Sequence, residues 1–176
     1  MPQLSVVVKM GLIDRLRSSH GKDDEQNGAA KVSNLQGANT GPNKIPIGKF
    51  AKELDATVEI LTGACNPSKD SPYLQLDHHH WEAFKKNTPS RGPNSVPSVV
   101  VAATLLCLWA RHEKITAPTL SLATSVLSTI GAEDKNPGRG IKNCQWLQER
   151  NGAVILNPAQ VSNAIELVKK YLNSLL

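Results

Sequence analysis

Twelve consecutive residues, Val99 to Ala110 (V-V-V-A-A-T-L-L-C-L-W-A), carry a single polar side chain, Thr104. A bilayer crossing by a helix needs about 20 apolar residues, so this run is too short to span a membrane. A segment apolar on every side, rather than along one stripe, has to be enclosed by protein. The run therefore predicts the buried central helix of a mainly α domain, over residues 98–112, with the other elements packed around it.

The flanking sequence predicts those elements. Phe50, Leu54, Val58 and Leu61 recur at helical spacing, which predicts one amphipathic helix over 48–62 closed by Gly63. Asp77 is placed to cap a short helix running to Lys86, with Trp81 and Phe84 on one face. The sequence T-P-S-R-G-P-N-S (88–95) breaks the chain before the central helix. After it, Thr116 is expected to cap a helix with Pro118 in its first turn, and Leu120, Ala123, Val126, Leu127 and Ile130 run down its face to Gly131. Residues 132–143 read as a loop. Asn157-Pro158 opens a last helix striped by Val161, Ala164, Ile165, Val168, Leu172 and Leu175. Residues 146–156 admit two readings. A helix over 141–150 ended by Gly152 and followed by an extended piece is favoured over a small β-hairpin turning at Asn151-Gly152.

The 176 residues suffice for one domain with a core of its own. Residues 18–44 are dominated by Gly, Asn, Ser, Lys and Asp and cannot bury enough surface to offset their ordering entropy, so they read as a flexible linker. The linker divides a short segment, 1–17, from a helical basic body, 45–176. The short segment mixes strand-forming residues (Leu4, Val6, Val7, Val8) with a helical patch and reads as a piece that docks on the body or on a neighbouring subunit. Its Lys9, Leu12, Ile13, Arg15, Leu16 and Arg17 could alternatively meet an anionic membrane surface or a partner. It lacks the layout of a secretory signal. Three widely spaced cysteines, Cys65, Cys107 and Cys144, form neither a disulfide framework nor a zinc motif, so a reduced, intracellular setting is expected.

Chemistry-bearing patterns are few. His78-His79-His80 suggests a metal, but consecutive side chains on a helix diverge by about 100 degrees, and no third ligand stands at a useful spacing. No strained nucleophile turn occurs. Pro137-Gly-Arg-Gly140 could let backbone and guanidinium approach a phosphate, although it lacks the ending of a nucleotide-binding loop. The helices at 98–112 and 117–130 have the spacing of a helix-turn-helix. The second, however, offers no Lys, Arg, Asn or Gln to a base edge.

Charge gives the strongest hint of a partner. Lys and Arg outnumber Asp and Glu by 20 to 15, for a net charge of +5. Lys85, Lys86, Arg91, Arg111, Lys114, Lys135, Arg139 and Lys142 fall in loops and at helix ends, opposed in that stretch by only Glu113, Glu133 and Asp134. Gathered on one side, they would form a groove that tracks a phosphate backbone without reading sequence. The expectation is a non-enzymatic, self-associating basic protein that binds nucleic acid or an anionic membrane. It would need no cofactor, metal or small-molecule substrate. Flexible arm plus small basic body is also the build of many viral coat, nucleocapsid and matrix proteins. A winged-helix DNA-binding regulator and a small metal-dependent enzyme at the histidines are the alternatives.

Overall fold

The computed structural model describes residues 44–89, 92 and 94–176. The docking or membrane-binding segment expected at 1–17, most of the linker, and Arg91 lie outside the described residues. In chain order the elements are α1 (Lys44–Glu53), α2 (Val58–Cys65), α3 (His78–Lys86), α4 (Ser98–Glu113), α5 (Leu120–Ser128), α6 (Pro137–Asn143), β1 (Leu147–Arg150), β2 (Ala153–Leu156) and α7 (Val161–Leu172). A 3-10 turn, Pro158–Gln160, leads into α7, and Asn157 caps it through a bond from the Ala159 N–H.

Helix α4 is the post around which the rest is built. Every residue from Val99 to Ala110 is buried. The one polar side chain among them, Thr104, is satisfied on both sides: its hydroxyl donates to the Val100 carbonyl at 2.6 Å and accepts from the Trp146 indole N–H at 2.9 Å. The helix ends at Lys114, whose left-handed conformation (φ 56°) closes it. At its start Pro97 offers no side-chain cap. Asp134, 35 residues further on, supplies one instead by accepting from the Val99 N–H at 3.3 Å.

Trp81 and Phe84 stack with centroids 6.0 Å apart and meet Tyr171 of α7, which joins α3 to the core. The Tyr171 hydroxyl donates to the Ala64 carbonyl at 2.8 Å, tying α7 to α2. Burial of that phenol pushes its pKa up. Asp77 caps α3 as its position predicts, accepting from the His80 N–H at 2.9 Å, and this bond holds its carboxyl below the usual range.

Six expectations are corrected. The helix predicted over 48–62 is two helices. Asp55 turns the chain through a left-handed conformation (φ 54°) and the Thr57 side chain caps α2 through the Ile60 N–H, so the apolar spacing continues across a break. Gly63 lies inside α2, which Asn66 closes (φ 34°). Thr119, not Thr116, caps α5 through the Leu122 N–H. Residues 137–143 are the helix α6 rather than loop. Leu175 lies beyond α7 and is exposed instead of extending its apolar stripe.

The sixth correction concerns 146–156, which form the hairpin and not a helix. Leu147 faces Leu156 and Arg150 faces Ala153, in antiparallel register. Asn151 and Gly152 both adopt positive φ (51° and 77°), the two-residue turn whose twist matches that of paired strands. On its other edge β2 reaches the start of α5: the Val154 N–H donates to the Pro118 carbonyl at 2.7 Å, and Thr119 bridges Ala153.

Candidate nucleic-acid interface

Two glycines and a proline make Pro137–Asn143 a poor helix on propensity alone. Packing explains why it forms. A side chain at Gly140 would place its first carbon 2.9 Å from Val99 Cγ1 and 3.3 Å from Pro97 Cβ, so only glycine lets α6 lie this close to the start of α4. Ile141, fully buried, holds the same face. The opposite face leaves Arg139, Lys142 and Asn143 exposed, with Lys135 and Asn136 just before it. None of Lys135, Arg139 and Lys142 carries an ion pair among the described residues.

The structure separates the predicted cations along α4, which at 16 residues is about 24 Å long. Lys135, Arg139 and Lys142 gather at its N-terminal end with Lys85, which shares a groove of about 420 Å³ with Lys135, Pro97 and Ser98. Lys86 is exposed beside Lys85 in the last turn of α3. Arg111 and Lys114 sit at the other end, on the rim of a 350 Å³ cleft between α4 and β2. Arg111 is paired with Glu53, and Lys85 with Glu82 at 2.7 Å, a bond that lowers the pKa of that glutamate. Asp134, which the sequence sets against these cations, is engaged by the Val99 and Asn136 N–H groups.

Two further grooves open beside the first, of about 620 and 590 Å³, and they meet across Val96, Trp146 and Lys170. The larger is floored by Gly140 and walled by Asn143, Cys144 and Gln145, so it runs from the C-terminal end of α6 to the start of β1. The other continues past Asn87 and Thr88 towards Asn163 and Glu166. Trp146 is half-buried, whereas Trp81 and Trp109 are 2% and 1% exposed. Lys170, Gln145 and Asn143 were not among the predicted contacts. Lys170 reads locally as one more cation on an amphipathic helix, and the hairpin at Asn151-Gly152 was the one signal that could have placed Trp146 at a strand entrance.

His80 Nδ1 lies 2.9 Å from Asp77 Oδ1, and the rings of His78 and His79 meet edge to face at 6.2 Å. Among the described residues no group of three or more His, Cys, Asp or Glu side chains could hold a metal ion. Burial pushes the thiols of Cys65 and Cys107 up to about 12, and that of Cys144 up as well, which suppresses the thiolate form a nucleophile would need. No helix among the described residues is long and apolar enough to cross a membrane. No protein-family model, curated protein or solved structure matches the chain.

Proposed function

We propose that this protein is a non-enzymatic, sequence-independent nucleic-acid-binding protein that coats its partner by self-association, and that α6 with the neighbouring grooves is its contact face. The observation that carries the reading is the exposed row Lys135, Arg139 and Lys142, free of ion pairs among the described residues and set beside a groove that holds the equally unpaired Lys170. Cations already paired to carboxylates have less to gain from a phosphate, which ranks the Arg111 end of α4 second. The brevity of α6 favours backbone contact over sequence reading: seven residues, two of them glycine, present only Arg139, Lys142 and Asn143 as possible readers of base edges. The location that suits free thiols is intracellular, cytoplasmic or nuclear, or within a virion.

One observation favours a second reading, a winged-helix regulator of DNA. Helix α4, the bridging residue Thr119, helices α5 and α6 and then the β1–β2 hairpin follow one another in the order of a helix-turn-helix with a wing. In that arrangement α6, not α5, is the helix offered to the groove, and it carries the basic residues α5 lacks.

Anisotropy titrations of labelled nucleic acid between 50 and 200 mM salt test both. Replacing Arg139→Ala and Lys142→Ala together should weaken binding at least tenfold on every sequence and make the salt slope about two units shallower. A preference for one duplex sequence well above tenfold would replace the first reading with the second. Binding untouched by the double substitution would remove the α6 face from both.

A further inference from the structure

We infer that the trough around Trp146 is a pocket for an unpaired nucleobase, which makes the nucleic acid single-stranded. The inference rests on the nucleic-acid reading above and adds to it the strandedness of the partner and the residue that senses it.

Trp146 stands where the two larger grooves join, half-exposed, and its N–H is fixed by the bond to Thr104 on the buried central helix. With the N–H engaged inward at 2.9 Å, the ring is held by one edge, and what it leaves to the trough is aromatic carbon surface rather than a hydrogen-bond donor. A flat aromatic face on a rigid mount is the feature on which nucleobases stack, in a way every base satisfies. The walls complete a base site. Asn143 and Gln145 each bring an amide with both donor and acceptor atoms, the complement of a base's Watson–Crick edge. Lys170 lines both grooves without an ion pair among the described residues, where a neighbouring phosphate would lie. The volume of about 620 Å³ is that of a small-ligand site. Two residues of α6, Gly140 and Asn143, line the trough, and the exposed Arg139 and Lys142 are their neighbours in the chain.

A duplex cannot use this site. Its base faces are stacked on one another and its Watson–Crick edges are paired, so presenting one to Trp146 costs the unstacking and unpairing of that base. A single strand offers both face and edge freely.

Of the chain's three tryptophans, Trp81 and Trp109 are buried and Trp146 alone is partly exposed, so the ligand-accessible part of the intrinsic fluorescence comes from Trp146. The full-length chain is titrated with a short oligouridylate and with a duplex of equal length, by tryptophan emission and by anisotropy. The oligouridylate should shift or quench the emission and bind at least tenfold more tightly than the duplex. Trp146→Ala should weaken it about tenfold, the loss of one stacked base, while Trp146→Phe retains most of the affinity. The wild-type quench stands as a readout even if Trp146→Ala fails to fold. Equal binding of both nucleic acids, lost on Arg139→Ala with Lys142→Ala but silent in the emission and indifferent to Trp146, overturns the base pocket and leaves the nucleic-acid reading standing. No binding of either at low salt overturns both.

Discussion

At the residue scale the site depends on what is missing at one position. Gly140 has no Cβ, and Val99 and Pro97 occupy the place one would take. Gly140→Ala should therefore cost about 1–3 kcal/mol through overpacking and push α6 off the start of α4. Gly138 makes the matched control, since an added carbon there meets only Leu120 at an ordinary 3.9 Å. Gly138→Ala should be neutral or stabilise by up to about 1 kcal/mol through helix propensity. Urea unfolding of the two variants reads the difference, and equal effects would mean that the close approach of α6 to α4 does not set its position.

At the scale of elements, α7 is held by both packing and a directed bond. Tyr171→Phe keeps the ring among Trp81 and Phe84 but deletes the hydroxyl that donates to Ala64. The Ala64 carbonyl also accepts from the Asp77 N–H at 2.9 Å, so it is not orphaned and the expected loss is a modest 0.5–1.5 kcal/mol, about one hydrogen bond, measured by the urea midpoint. The same contrast between local and distant causes explains which elements the sequence made legible. Helices α3, α4 and α7 could be read because their signals are local: the Asp77 cap, the unbroken apolar run, and Asn157-Pro158 before a stripe. The break between α1 and α2 could not, because Leu54 and Val58 keep helical spacing across a turn that Asp55 and Thr57 impose. Helix α6 was hidden because its glycines speak against a helix and are overruled only by Val99 and Pro97, some forty residues earlier. Three of the predicted cations are on its face or just before it, so their identity was legible while their grouping was not. The partly buried setting of Trp146 depends on the hairpin that follows and on Thr104 beneath it.

At the scale of the whole molecule, the core holds protons that an unfolded chain would release. Cys65 and Cys107 are pushed up to about 12 by burial, against an ordinary value of about 8.5–9. Below about pH 8 both states keep the thiols neutral and the full stability is present. Between about pH 9 and 12 the unfolded chain loses protons that the folded chain retains, so stability falls as pH rises, by up to about 1.4 kcal/mol per pH unit for each thiol. Urea midpoints from pH 7 to 11 should show this decline, and Cys65→Ala should flatten it. An unchanged slope in that variant would show that Cys65 is not a source. The other consequence of the architecture concerns length rather than energy. Surface loops ordinarily accept extra residues. The stretch from Gly131 to Asn136 is on the surface, yet Asp134 is spent on the first turn of the central helix while Lys135, its neighbour, faces the groove. Inserting one residue between them would shift Lys135 relative to the capped helix, and inserting one before them would draw the carboxylate away from the helix it caps. This short loop works as a spacer of fixed gauge, whose length matters because Asp134 and Lys135 must both stay where they are.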